Sequence, residues 1–180
     1  MITLVPLHEK YAQRVQDLHN HPLVSGVLGL ENQTVQDKLN FFQRMNEEEA
    51  SRITISRIIL NEEQQCIGIT TLMFIDHEKK SCHLGSWLGV DYWGKGYNEQ
   101  AKEAILKIAF DELKLDRVFL GARKTNERSI AAQRKLPFIT MNVEKAYESE
   151  WLFLEEKEKC PSILNVVHST DFYSHINKPR

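Results

Sequence analysis

The chain has little of what secreted, membrane or nucleic-acid-binding proteins depend on. Its three cysteines, Cys66, Cys82 and Cys160, are odd in number and lack metal-ligand spacing, which favours a reducing, cytoplasmic compartment over a disulfide framework. No run of eighteen apolar residues occurs and no charged-then-apolar leader opens the sequence, so neither a membrane span nor a secretory signal is expected. Charge of one sign is also missing: 23 Lys and Arg against 25 Asp and Glu leave a net charge of −2 and a pI near 6.4. Without a basic stripe, no nucleic-acid surface is expected. Internal repeats, low-complexity stretches and linker-like segments are absent as well. What is there is 42% hydrophobic residues in a length of 180, enough for one domain, 1–180, to bury a core without staples.

The rest of the chain is organised around residues 84–113. Leu84, Gly85, Ser86, Trp87, Leu88, Gly89 and Val90 read as an apolar strand, followed by a turn through Trp93, Gly94, Lys95, Gly96, Tyr97 and Asn98. A helix over 96–113 follows, because Tyr97, Ala101, Ile105 and Ile108 keep a 3.6-residue spacing while Glu99, Lys102, Glu103, Lys107 and Asp111 fill the outer face. Gly94 and Gly96 let the backbone approach a ligand closely. A row of N–H groups at a positive helix end suits phosphate, and the turn reads as a pyrophosphate cradle; an ordinary strand-to-helix turn is the competing reading.

In chain order, 2–6 read as a first strand and 8–19 as a helix with Tyr11, Val15 and Leu18 on one face, ended by Pro22. Residues 24–31 read as irregular and apolar. Thr34-x-x-Asp37 opens a second helix carrying Val35, Leu39, Phe42 and Met45 inward. Strands ending at Leu60, over 66–75 and over 81–90 are joined by hairpin-length loops and so pair antiparallel. After the long helix, a strand over 116–122 returns parallel to its predecessor. A helix over 126–135 stopped by Pro137, a strand over 138–143, a polar excursion containing Trp151, Leu152, Phe153 and Leu154, a strand over 162–169 and a short helix over 170–175 complete the chain.

A second segment follows the cradle by about thirty residues: Thr125, Asn126, Glu127, Arg128, Ser129 and Ile130, closing with Arg134, Lys135, Leu136, Pro137 and Phe138. Strand, cradle, helix, strand, then Asn-x-x-Ser and Lys-Leu-x-Phe resembles the GNAT superfamily of acyl-coenzyme A N-acyltransferases. Within it the chain is most similar to the ribosomal-protein N-terminal acetyltransferase branch (RimJ/RimL-like). The resemblance covers nearly the whole chain, with its distinctive motifs at 82–138. It implies an α/β (α+β) fold: a mixed, mostly antiparallel sheet of about seven strands with a splayed centre and flanking helices.

The same resemblance implies acetyl-coenzyme A as co-substrate and direct attack on it by an amine, on a peptide N-terminus or a small molecule. The pantetheine arm would pair with the backbone of Trp87, Leu88, Gly89 and Val90, with an N–H of Leu88 or Gly89 polarising the thioester carbonyl. Amides of Trp93, Gly94, Lys95, Gly96, Tyr97 and Asn98 would hold the pyrophosphate, with Lys95 as countercharge or as a plain solvated lysine. Asn126 would bond the pantetheine. Ser129 would protonate the leaving thiolate, or simply bond helix amides. His83 stands where the branch commonly has a glutamate base; it titrates near neutrality and is either that base or a strand histidine. The first two helices and their connection would wall the acceptor pocket, with Glu31 and Asn32 nearby. Four positions depart from the family pattern: Asn98 for Gly or Ala, Trp93 for Arg or Gln, Gln133 for a tyrosine acid, and Pro137 for Gly. An amine-detoxifying acetyltransferase and a non-catalytic acyl-coenzyme A binding module are the alternative functions. No metal site is expected, and the chain reads as a monomer or a homodimer, with Phe172 and Tyr173, read as exposed, either serving a dimer or covering the sheet.

Overall fold

A computed structural model describes residues 1–29 and 33–178. Strand β1 (Thr3–Pro6) leads through a 3-10 turn into helix α1 (Ala12–His19). Pro22 ends α1 and also begins the next element: it is the first residue of α2 (Pro22–Leu28), which Gly29 closes at a φ of 66°. The irregular segment expected at 24–31 is therefore helical as far as Leu28. The β-branched residues and glycine there hid it, and the pattern that identifies it is proline at N1 with glycine just past the end. Leu30, Glu31 and Asn32 lie outside the described residues. Helix α3 (Val35–Ala50) opens with the expected capping box, Asp37 N–H to Thr34 Oγ1 at 3.2 Å and Thr34 N–H to Asp37 Oδ2 at 2.7 Å.

Strands β2 (Ile55–Leu60), β3 (Cys66–Asp76), β4 (Ser81–Leu88), β5 (Arg117–Arg123) and β6 (Ser162–His168) join β1 in one six-stranded mixed sheet ordered β1-β2-β3-β4-β5-β6. β1 and β3 flank β2 antiparallel, β4 runs parallel to β5, and β5 pairs antiparallel with β6. The parallel ladder spans Ser81↔Arg117 to Leu84↔Leu120 and ends there, although β4 continues to Leu88 and β5 to Arg123. Helix α4 (Tyr97–Lys107) widens into a π turn over Ile108–Glu112. Helices α5 (Glu127–Arg134), α6 (Glu148–Glu158) and α7 (Ser169–Ile176) follow.

The seventh strand expected at 138–143 does not form. Thr140 and Val166 make a single bridge, and Asn142 then turns to a φ of 59° and gives its N–H to Asn165 Oδ1 at 2.9 Å, so the pairing cannot extend into a ladder. The polar excursion over the same region contains α6, whose Trp151, Leu152, Phe153 and Leu154 are consecutive and present no helical period to read.

The chain divides into two compact units, Met1–Ile75 with Gly85–Ile108, and Asp76–Leu84 with Ala109–Arg180. In the first, Val15 and Leu18 of α1 and Phe42 and Met45 of α3 pack on Ile58, Leu60 and Ile69 of the sheet. In the second, Phe119, Leu164 and Val166 receive Leu154 of α6. Phe172, expected on the surface, is fully buried and packs on Phe110 and Phe138. Its part is to seal that core. No helix among the described residues is long and apolar enough to cross a membrane.

Candidate active site

In the first unit, β4 is drawn tightly against β3 at its C-terminal end. A Cβ on Gly68 would lie 2.1 Å from the Trp87 carbonyl oxygen, so only glycine fits there. The Gly89 N–H donates to the Ile67 carbonyl at 2.9 Å. That amide, one of the two expected at the thioester, is thus already engaged. The Val90 N–H has no acceptor among the described residues. Trp93 folds its indole back, Nε1 donating to the Leu88 carbonyl at 2.8 Å, and its own N–H closes a 3-10 turn onto Val90. An amide expected in the cradle is therefore occupied, and the open row begins one residue later.

From there the backbone donors are open. Gly94 and Gly96 take φ of 71° and 81°, a left-handed conformation that a side chain disfavours, and a Cβ added at Gly94 would meet nothing within 4 Å. Gly96 caps α4 without any side-chain hydrogen bond. The N–H groups of Gly94, Lys95, Gly96, Tyr97 and Asn98 donate to no acceptor among the described residues. Five such donors stand at the positive end of an eleven-residue helix, an arrangement that can accept an anion.

Its side chains are arranged to match. Lys102 is 7% exposed and donates to Asn98 Oδ1 at 2.6 Å; burial lowers its ammonium to about 8. A lysine can only donate, so the Asn98 oxygen faces Lys102, and among the described residues the Asn98 NH₂ has no acceptor. Asn98, the departure from Gly or Ala, thereby becomes a further donor backed by a buried cation. Tyr97 is turned away, its hydroxyl donating to Glu62 at 3.0 Å. Lys95 is exposed, with Nζ 5.8 Å above the Tyr92 ring.

The second unit carries the groups expected to move protons. His83, on the paired part of β4, is 6% exposed and lies between Phe119 and Phe153 at ring distances of 5.4 and 5.6 Å. Its Nε2 meets Glu150 Oε2 at 2.8 Å. Burial holds its pKa below the usual 6.5, and the Glu150 carboxylate pulls the other way. The histidine on the strand is thus paired with a glutamate supplied from α6. Glu150 was missed in the sequence with the helix that holds it; its only signal was an acidic residue in a helical first turn.

Asn126 caps α5, its Oδ1 accepting from the Ser129 N–H at 3.1 Å. Ser129 Oγ accepts from Gln133 Nε2 at 3.2 Å, which leaves its own O–H to donate. Gln133, in the place of a tyrosine acid, is 4% exposed and tied on both ends: Nε2 also reaches the Gly121 carbonyl at 3.2 Å, and Oε1 accepts from the buried Asn165 at 2.7 Å. It orders the serine and has no proton to give.

Residues 2–139 match the family model described as an acetyltransferase (GNAT) domain. Among known proteins, an uncharacterised N-acetyltransferase, p20, of Bacillus licheniformis is 30% identical over 91 residues, 51% of this chain and 51% of that one. A Bacillus subtilis (strain 168) protein provisionally named ribosomal N-acetyltransferase YdaF is 31% identical over 72 residues, 40% of this chain and 39% of that one. The chain thus spans about half the length of the first relative and less of the second. A solved spermidine N-acetyltransferase of Vibrio cholerae, in complex with CoA and spermine, superposes with a TM-score of 0.74 at 12% identity, over 95% of this chain and 97% of that one; at that identity the likeness is one of fold. With the family model matching most of its length, the chain belongs to the GNAT acetyltransferases.

Proposed function

We propose that the chain transfers an acetyl group from acetyl-coenzyme A to a primary amine, on a peptide N-terminus or a small molecule, by direct attack in a ternary complex. The observation that carries this reading is the run of five unengaged N–H groups at 94–98, ahead of α4 and backed by Asn98 and Lys102. A diphosphate satisfies such donors, and few other ligands do.

In this reading the pantetheine arm lies along residues 87–90, and the Val90 N–H takes the part first expected of Gly89. Positioning of the thioester supplies most of the rate. The amine nitrogen attacks the thioester carbonyl, the C–N bond forms as the C–S bond breaks, and the proton shed by the amine passes to His83, held by Glu150. The Ser129 O–H, oriented by Gln133, protonates the departing thiolate. Three unpaired thiols, two of them buried, fit a reducing cytoplasm.

A binding module without catalysis is the second reading, favoured by Gln133, whose polar groups are all engaged and none of which titrates. Thiol release from acetyl-coenzyme A with a panel of amines and N-terminal peptides separates the two. Release with any of them supports the transferase. Stabilisation by coenzyme A without release supports the module. Which amines respond distinguishes a peptide acceptor from a detoxified small molecule.

A further inference from the structure

The first unit also carries an open pocket of about 370 Å³, walled by His19 of α1, Lys38, Phe41 and the exposed Arg44 of α3, Ile69 of β3 and Trp87 of β4. His19 is 1% exposed, and among the described residues neither ring nitrogen has a hydrogen-bond partner. Only the edge of Trp87, 5.4 Å away, meets the ring. Buried polar atoms are almost always paired, so two orphan ring nitrogens on a cavity wall mark a place where a ligand supplies the partner.

Lys38 is 5% exposed, and its ammonium donates to a neutral acceptor, Gln33 Oε1, at 2.6 Å. Among the described residues Asp37 is the one carboxylate on the wall, and its Oδ2 already receives the Thr34 N–H and hydroxyl of the capping box. Arg44 adds a second cation, lying over the Phe41 ring at 5.7 Å. The lining therefore holds two cations against one committed carboxylate. Burial lowers Lys38 to about 8, still largely protonated at neutral pH, and His19 to about 4, so the imidazole is neutral with one donor and one acceptor nitrogen.

We propose that this cavity receives the acceptor and selects a primary amine that also carries an oxyanion group, a carboxylate or a phosphate, bound by Lys38 and His19. The proposal rests on the acetyltransferase reading above. Trp87 belongs both to this wall and to the strand segment assigned to the thioester arm, so an acceptor anchored at Lys38 is held beside that segment. A resident cation also disfavours the ammonium form of the incoming amine and so favours the neutral nucleophile. Among the described residues of the wall a polyamine finds no uncommitted carboxylate and meets two like charges.

The test uses the full chain, acetyl-coenzyme A and four amines that each have four carbons: butylamine, 4-aminobutanoate, 4-aminobutyl phosphate and putrescine. The expected kcat/KM for one or both anionic amines exceeds that for butylamine by about tenfold or more, the size of one charge-assisted contact, and putrescine is poorest. The better of the two anions identifies the group. Lys38→Met should remove the preference mainly through KM, leave stabilisation by coenzyme A unchanged and raise the Tm, because a buried cation with a neutral partner is lost. Lys38→Arg should restore part of the preference. If Lys38→Met does not fold, the four wild-type rates still decide. Turnover in which butylamine or putrescine matches the anions overturns the proposal and leaves the acetyltransferase reading standing. Coenzyme A binding without turnover, or no coenzyme A binding, overturns the proposal together with that reading.

Discussion

Gly96 sits at a φ of 81° at the head of α4, with Gln100 Nε2 4.0 Å from where a Cβ would stand. A side chain there is strained and also projects into the room a diphosphate needs. Gly96→Val is expected to cost about 1–2 kcal/mol of stability and to weaken coenzyme A binding by about tenfold or more, through the lost close approach of the backbone. Denaturant unfolding and titration calorimetry read the two separately. The His83–Glu150 contact makes a second prediction. His83 works as a base only when neutral, and burial holds its pKa below 6.5, so the acid limb of kcat/KM lies below the usual histidine range. Glu150 favours the imidazolium, so Glu150→Gln moves that limb further toward acid and lowers the rate by loss of ring orientation. A limb that stays in place in the variant removes the pair from the mechanism.

At the scale of elements, the close approach of β3 and β4 at Gly68 is the joint on which the arm-binding segment depends. Gly68→Ala would press a methyl into the Trp87 carbonyl, 2.1 Å from an ideal Cβ and part of the backbone rather than a flexible side chain. The expected loss is about 2–4 kcal/mol in urea unfolding, in the range of overpacked cores; a loss below the error of the measurement would show that β4 shifts freely.

Elements with a period or a cap were legible in the sequence. α3 announces itself by Thr34 and Asp37, α4 by Tyr97, Ala101 and Ile105, and the parallel return to β5 by the length of the crossover. The two-glycine turn ahead of α4 was legible because its left-handed positions call for glycine. What stayed hidden is what tertiary contact decides. The four consecutive apolar residues of α6 have no period, so Glu150 was invisible as the partner of His83. Occupied amides at Gly89 and Trp93 depend on where β3 and the 3-10 turn lie. Thr140 reads as strand but stands next to a left-handed Asn142. His19 and Lys38 look like ordinary helix residues until burial is known.

For the molecule as a whole, near-balanced charge means that pH acts through a few buried groups rather than through net repulsion. In the unfolded chain His19 and His83 titrate near 6.5, while in the folded one His19 titrates near 4 and His83 below its usual value. Above 6.5 both states leave these rings neutral and nothing is gained or lost. Below it the unfolded state binds protons first, so stability falls as pH falls toward 4. His19 alone should account for a loss of about 2 kcal/mol between pH 7 and pH 5, and His19→Leu should flatten that slope in urea titrations; an unchanged slope would place the acid sensitivity elsewhere.

The proposed function has one central requirement, that a diphosphate be held by the backbone ahead of α4 so that the thioester it carries would lie along residues 87–90. Amide chemical shifts of the labelled protein titrated with coenzyme A test this most directly. Saturable downfield shifts are predicted for the N–H groups of Gly94, Lys95, Gly96, Tyr97 and Asn98, with Trp93 and Gly89 moving least because their N–H groups already have protein acceptors. Coenzyme A binding that leaves those five resonances where they were would contradict it.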